Sequence, residues 1–157
     1  MFEINRYTNE SFKLWDDYVP ICNNGTLFHL RRFLQYHPDD RFLDHSLIVQ
    51  KKGKIFAVFP ATEQRINDKV FLVSHPGSSI GSFVTPEALS IADAISLAEE
   101  LVSYTKTQHF SGIRITLPPT LYNYRLSNYM DYAYFKQGFK YLKREITSIL
   151  FLERSIG

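Results

Sequence analysis

Residues 46–75, SLIVQKKGKIFAVFPATEQRINDKVFLVSH, constrain the fold more than any other stretch of the chain. They contain three runs of apolar and β-branched residues, separated by two short polar turns, Lys51–Lys54 and Asn67–Asp68. Because turns this short cannot carry a parallel crossover, the pattern predicts three consecutive antiparallel strands. Pro60 lies within the second run and predicts an edge or a bulge there.

Helical patterns lie on both sides of these strands. Asn9 or Ser11 is the predicted N-cap of a first helix, and Thr26 is that of a second. The sequence TPE at 85–87 supplies a cap, a first-turn proline and a first-turn acid for a long third helix. The predicted elements, in chain order, are a strand at 2–8, helices at 9–19 and 27–37, the three strands, a helix at 86–107, a strand at 112–119, a helix at 127–139 and a strand at 141–153. This order predicts an α/β (α+β) domain with a mixed, mostly antiparallel sheet and helices on both faces.

Helical spacing also predicts which apolar side chains face the core. In the second helix these are Leu27, Leu30, Phe33 and Leu34. In the long helix they are Ile91, Ala94, Ile95, Ala98, Leu101 and Val102. Aromatic residues make up 15% of the chain, which favours a well-packed domain with an aromatic-walled cleft.

Composition excludes several classes of protein. A chain of 157 residues with 45% hydrophobic and 22% charged residues is typical of one globular domain. The net charge of +2 is too small to indicate a nucleic-acid partner. The single cysteine, Cys22, cannot form an internal disulfide or a thiolate metal site. No apolar run is long enough for a membrane span, and the N-terminus lacks the apolar region of a secretory signal, so we expect a cytoplasmic protein.

Four motifs occur in an order that resembles a known family. They are FHLRRFLQYH at 28–37, RFLDHSL at 41–47, GKIFAVFPA at 53–61 and SHPGSSIG at 74–81. The order of elements resembles the acyltransferase fold of the GNAT superfamily, and the motifs resemble the N-terminal half of FemAB-like proteins. The Tyr-rich segment LPPTLYNYRLSNYMDYAYFKQGFKY at 117–141 is also similar to that group.

The resemblance implies a particular organisation and activity. FemAB-like proteins have two GNAT-like lobes and transfer an aminoacyl group from aminoacyl-tRNA to an amine of a peptidoglycan precursor. Other members are assigned as acyltransferases acting on cell-surface sugars or peptides. We therefore expect residues 1–157 to form a single GNAT-like domain, either the first lobe of a two-lobed protein or a single-lobed one. An exposed face where a second lobe would pack could instead form a homodimer.

The segment SHPGSSIG is the first candidate for a ligand site. Its glycines, Gly77 and Gly81, are four residues apart, which fits neither the R/Q-x-x-G-x-G/A loop that binds the coenzyme A diphosphate nor G-x-G-x-x-G nor a Walker loop. The glycines are typical of a bulge or tight turn in a strand. Ligand contact by Ser78, Ser79 or the exposed amides is the alternative, and the two interpretations are compatible.

Other polar residues complete the predicted site. His75 borders the glycine-rich turn and is the candidate proton-handling residue, since its pKa is expected near neutrality, although a structural hydrogen bond is the competing interpretation. Arg32 and Tyr36 join Gly77, Gly81, Ser78 and Ser79 as candidate substrate-binding residues. Arg32 could attract phosphate or a tRNA backbone, or could simply be solvated. The histidine spacing matches no zinc pattern, so no metal site is predicted.

Three hypotheses on function stay open. The first is an acyl- or aminoacyltransferase acting on an amine of a cell-wall or surface-glycan precursor, with acyl-coenzyme A or aminoacyl-tRNA as the candidate donor. The second is a non-catalytic GNAT-like module that binds a glycan, a peptide or a protein. The third is a free-standing coenzyme A-dependent N-acetyltransferase, which the missing diphosphate loop disfavours.

Overall fold

The structure is a computed structural model that describes residues 2–38, 40–146 and 148. Its helices are α1 (Phe12–Tyr18), α2 (Arg31–Leu34), α3 (Ile91–Thr107) and α4 (Tyr129–Lys136). Its strands are β1 (Phe2–Arg6), β2 (Leu43–Asp44), β3 (Leu47–Lys51), β4 (Lys54–Phe59), β5 (Ala61–Ile66), β6 (Lys69–Ser74) and β7 (Gly112–Arg114). No helix among these residues has the length and apolarity that a membrane crossing needs.

The strands form two adjoining sheets, in the orders β1-β3-β4 and β2-β5-β6-β7. Pairing is antiparallel except between β6 and β7. The chain runs from β4 into β5 through Pro60, so the proline predicted to mark an edge or bulge lies at a break between two strands. Beyond this break, Val84, which follows β6 in the chain, forms an isolated antiparallel bridge with Val58 of β4. The predicted meander and the mixed, mostly antiparallel sheet are confirmed.

Helices cover both faces of the sheet. Trp15 of α1 packs in one core cluster with Ile48 and Val58, whereas Leu97 and Leu101 of α3 belong to a second cluster. The residues on either side of Ile48 and Val58 in their strands lie in the second cluster; they are Leu47, Val49, Ala57 and Phe59. Since successive side chains of a strand point to opposite faces, the two clusters lie on opposite sides of the sheet.

The second helix is much shorter than the sequence predicts. Residues Leu27–His29 form a 3₁₀ turn, and Leu30 then takes an extended conformation before α2 begins. The side chain of His29 accepts the Thr26 N–H, which closes the turn at its start and separates it from α2. Leu27, predicted to be buried, is consequently 57% exposed.

Two other predicted boundaries are wrong. Ser90, not Thr85, caps α3, because its hydroxyl accepts the Asp93 N–H at 3.0 Å, while Pro86–Leu89 form a separate turn. Ile91 is therefore 41% exposed at the first position of the helix. Of the strand predicted at 141–153, residues 141–146 have no strand structure, and most of the remainder lies outside the described residues.

Candidate functional site

The segment 75–83 leaves the β-ladder at the centre of the molecule. Antiparallel pairing with β5 stops at Ser74, and antiparallel pairing with β4 begins at Val84. On the other side, the Ser74 hydroxyl accepts the Thr116 N–H at 2.8 Å, and the Gly81 N–H donates to the Thr116 carbonyl at 2.8 Å. Hydrogen bonds from the Ser74 side chain and from the backbone of segment 75–83 thus replace the regular strand pairing with the chain after β7. Beyond this point the two segments that follow β6 and β7 separate.

Gly81 is the residue that lets this segment approach the strand. A Cβ at position 81 would lie 2.6 Å from the Cβ of Ser74, closer than real Cβ contacts allow. The Gly81 carbonyl lies 3.2 Å from Nε2 of the fully buried His29. Both polar backbone groups of Gly81 are therefore bonded within the fold, in agreement with the bulge interpretation of the sequence.

Ser82 holds a strained conformation next to this glycine. Its φ of +81° lies in the left-handed region that non-glycine residues rarely occupy, although it is 2% exposed and tightly packed. The Ser82 hydroxyl is 3.0 Å from the Tyr134 hydroxyl, which fixes the side chain against α4. The Ser82 N–H donates to none of the described residues. Strain of this kind is often found where backbone geometry serves a function.

A cleft of about 190 Å³, which we call the polar cleft, lies where β6 and β7 separate. Ten of its fourteen lining residues have an amide, hydroxyl or carboxyl side chain; the lining consists of Asn23, Asn24, Ser82, Thr85, Leu89, Leu117, Pro118, Thr120, Asn123, Ser127, Asn128, Met130, Asp131 and Tyr141. Clefts beyond the carboxyl ends of parallel strands are the usual ligand sites of α/β sheets. We therefore take the polar cleft as the candidate functional site.

Two consecutive asparagines connect the two sides of the polar cleft. The Asn24 side chain donates to the Phe83 carbonyl at 2.7 Å and accepts the Thr85 N–H at 2.9 Å. The Asn23 side chain donates to the Arg125 carbonyl and accepts the Arg125 N–H. The Asn23 backbone also bonds both sides, since its N–H donates to the Thr85 carbonyl and its carbonyl accepts the Tyr124 N–H, each at 2.9 Å. The width of the cleft therefore depends on this dipeptide.

Asp131 supplies the carboxylate of the polar cleft. It lies in the first turn of α4, where the helix dipole favours a negative charge. The Tyr141 hydroxyl donates to the Asp131 carboxylate, at 2.7 and 2.9 Å from its two oxygens. This hydrogen bond to a negative acceptor raises the pKa of Tyr141, so the tyrosine stays protonated at neutral pH.

A second cleft of about 460 Å³ lies on the other side of segment 75–83, and we call it the aromatic cleft. Its lining consists of Leu27, Arg32, Phe33, Tyr36, His37 and Gly77. The structure thus brings together three predicted substrate-binding residues, Arg32, Tyr36 and Gly77. Ser78 does not join them, because its hydroxyl lies within hydrogen-bonding distance of two carbonyls, Phe28 and Ile80, and can donate to either one. Ser79 is exposed and outside the cleft lining.

His75 lies behind the aromatic cleft and is 6% exposed. Its Nδ1 accepts the Gly77 N–H at 3.2 Å, and its ring stacks on that of His37 with 6.1 Å between centroids. Burial lowers the pKa of His75 to about 4, so the predicted pKa near neutrality is wrong. The ring is neutral at pH 7 and fills a structural position, while a catalytic role for it stays a prediction.

Sequence reasoning missed the principal residues of the polar cleft. Neither NNGT at 23–26 nor any residue of the Tyr-rich segment at 117–141 was among the predicted site residues. Asn23 and Asn24 bond backbone groups far away in sequence, at Arg125 and Phe83, so no local pattern identifies their partners. The only available signal was the high density of Asn, Ser and Thr around the prolines at 118–119.

Comparisons with known proteins identify the fold. No family model and no curated protein matches the sequence. A GNAT family acetyltransferase from Staphylococcus aureus superposes with a TM-score of 0.55 at 12% identity, covering 95% of this chain and 98% of that chain. A transcriptional regulator from Bacillus halodurans gives 0.59 at 11% identity, covering 96% and 100%. A ribosomal-protein-alanine N-acetyltransferase from Brucella melitensis gives 0.55 at 12% identity, covering 96% and 99%. Residues along nearly the whole chain therefore adopt the GNAT acetyltransferase fold.

Proposed function

We propose that the protein is an acyltransferase that moves an acyl or aminoacyl group from an activated ester or thioester to an amine. The observation that carries the proposal is the polar cleft, which opens where β6 and β7 separate in a GNAT fold. The Staphylococcus and Brucella proteins with this fold are named as acetyltransferases, which makes acetyl the first acyl group to test.

The residues of the polar cleft suit the three steps of such a transfer. The amine nitrogen bonds to the acyl carbon, the carbon–sulfur or carbon–oxygen bond breaks, and the amine proton ends on the departing thiol or hydroxyl. Asp131 can accept the amine proton as a general base. The N–H of Ser82, which bonds no described residue, can donate to the oxyanion of the tetrahedral intermediate. The cleft would contribute chiefly by holding the two reactants together.

The start of α3 does not fit the diphosphate of coenzyme A. Helix N-termini bind diphosphates through free N–H groups and a positive dipole. Here the Ser90 hydroxyl already accepts the Asp93 N–H, and the Asp93 carboxylate in the first turn pairs with Lys51 at 2.5 Å. Hydrogen bonds from Lys51 and Ser90 hold the pKa of Asp93 below its usual value, so this negative charge is present at neutral pH. The proposal therefore specifies the donor by its reactive acyl group alone.

The decisive experiment separates acyl transfer from donor recognition. We would mix the protein with an amine and one of three donors: acetyl-coenzyme A, acetyl-pantetheine, which lacks the diphosphate, or an aminoacyl-tRNA. We would measure release of the thiol or of the free tRNA, and formation of the N-acyl product. We expect amine-dependent release that falls about 100-fold in Asp131→Asn. Asp17→Asn, an exposed acid on α1, is the matched control and should retain full activity. A folded protein that transfers no acyl group from either thioester or from aminoacyl-tRNA contradicts the proposal.

A finer proposal concerns the acceptor. Resemblance of four motifs to FemAB-like proteins supports an amine of a cell-wall or surface-glycan precursor. The same assay with a peptidoglycan precursor carrying a free side-chain amine tests it, and the precursor should react faster than the amine alone. Equal rates contradict this finer assignment and leave acyl transfer itself intact.

A non-catalytic binding module is the second candidate function. The acidic first turn of α3, which disfavours a diphosphate-bearing donor, is the observation that favours it. Ligand binding by the folded protein without acyl transfer from any of the three donors would establish this alternative.

A further inference from the structure

We propose that the polar cleft binds a small primary amine that also carries hydroxyl groups, with the ammonium group on Asp131. This inference rests on the proposed acyl transfer, because it names the chemical class of the acceptor. It is argued from the charge, the unpartnered polar groups and the volume of the cleft.

The charge of the lining favours a cation. Among the described residues that line the polar cleft, Asp131 alone carries a formal charge. Its carboxylate has about four lone-pair positions, and the Tyr141 hydroxyl occupies only part of that capacity. Arg144 packs against the Tyr141 ring at 4.5 Å, but it is not part of the lining. An ammonium group inside the cleft would therefore meet a negative acceptor with unused hydrogen-bonding capacity.

The neutral polar residues of the lining favour a ligand with hydroxyl groups. Thr85 is only 3% exposed and lines the cleft, yet its hydroxyl bonds none of the described residues. The exposed Asn128 side chain at the start of α4 also lines the cleft without such a bond. A ligand hydroxyl both donates and accepts, so it can bond the Thr85 hydroxyl and the Asn128 amide in place of water. An apolar amine would displace that water without replacing its hydrogen bonds.

The volume limits the size of the bound group. At about 190 Å³ the cleft is smaller than the roughly 300–1,000 Å³ of sites that enclose a drug-sized ligand. It can enclose one compact polar group and not an extended chain. A larger acceptor would place its amine-bearing end in the cleft and extend outward from it.

Binding measured without any acyl donor tests the inference separately from acyl transfer. We would titrate the protein with glucosamine and with glucose, which has a hydroxyl in place of the amine, using calorimetry and NMR. We expect glucosamine to bind at least about tenfold more tightly than glucose, since one carboxylate–ammonium contact supplies that difference. Asp131→Asn should remove the preference, and Asp17→Asn should preserve it. Equal binding of the two sugars by the wild-type protein would overturn the inference.

Two further variants guard against an effect of misfolding. Tyr141→Phe removes a competitor for the Asp131 oxygens, so glucosamine binding should be retained or tightened. Thr85→Val should weaken glucose and glucosamine by a similar factor, because it removes a hydroxyl contact that both sugars share. Loss of the amine preference in Tyr141→Phe contradicts the assignment. Acyl transfer to other amines, combined with no preference for glucosamine, would refute this inference while supporting the proposed function.

Discussion

The side chain of Asn23 pairs with the backbone of Arg125 in the manner of a neighbouring strand. Its oxygen accepts the Arg125 N–H at 2.6 Å, and its amide donates to the Arg125 carbonyl at 3.0 Å. On the opposite side of the polar cleft, the Asn24 side chain donates to the Phe83 carbonyl and accepts the Thr85 N–H. Because the two asparagines are adjacent in the chain, they hold the two sides of the cleft at a fixed separation.

Replacing Asn23 by Ala should destabilise the protein and loosen the cleft. Two hydrogen bonds of a residue that is 5% exposed are lost, so we expect the free energy of unfolding to fall by about 1–3 kcal/mol. Urea denaturation measures this change, and hydrogen exchange at the Arg125 amide should accelerate. Asn5→Ala on the exposed edge of β1 is the control and should change little. Unchanged exchange at Arg125 would show that Asn23 does not fix this side.

Ser82→Gly and Ser82→Ala should differ in a way that isolates backbone strain. Both variants lose the hydroxyl contact with Tyr134, but only glycine relieves the left-handed φ. We expect Ser82→Gly to be more stable than Ser82→Ala by about 1 kcal/mol. Thermal unfolding of the two variants side by side measures the difference. Equal stability would mean that the conformation at position 82 is not strained.

Stability should fall in acid partly because of His29. Burial lowers the pKa of His29 from 6.5 to about 4, so between these values the unfolded chain binds more protons than the native protein. The contribution is complete above pH 6.5 and decreases as the pH falls towards 4, by up to about 3 kcal/mol. His75 adds an effect of the same sign.

Denaturation curves across this pH range test the role of His29. His29→Gln should be less stable at pH 7 but should show a shallower loss of stability in acid. His109→Asn, at an exposed position, should retain the slope of the wild-type protein. An unchanged slope in His29→Gln would contradict a neutral, buried imidazole at this position.

The two glycines of the segment 74–81 should tolerate alanine to different degrees. The added methyl group of Gly81→Ala meets the Ser74 Cβ, which the strand holds in place, so we expect a loss of about 1–3 kcal/mol. The methyl group of Gly77→Ala meets the outer atoms of the His37 and Phe42 rings, and displacing these side chains costs less than displacing the strand at Ser74. Urea denaturation ranks the variants, and NMR of His37 should report displacement only in Gly77→Ala. The opposite ranking would refute this account of the segment.

Local patterns predicted the parts of the fold that depend on neighbours in sequence. Alternation and short turns at 46–75 were enough for the three antiparallel strands, because both features act over a few residues. Helix starts were predicted less well, since Ser90 and Thr85 both have cap chemistry and only packing decides between them. The predicted length of α2 is wrong for a similar reason, because the hydrogen bond from the Thr26 N–H to the His29 ring competes with continuation of the helix.

The sequence by itself determined the α/β character, the meander and the GNAT-like order of elements. It also indicated a bulge or tight turn at Gly81, with ligand contact by Ser78 or Ser79 as a compatible alternative that stays a prediction. Only the tertiary structure decided where the candidate site lies, because Asn23, Ser82 and Asp131 come from segments that the chain brings together over about a hundred residues. Their hydrogen bonds and burial depend on three-dimensional contacts, which residue type and spacing along the chain do not encode directly.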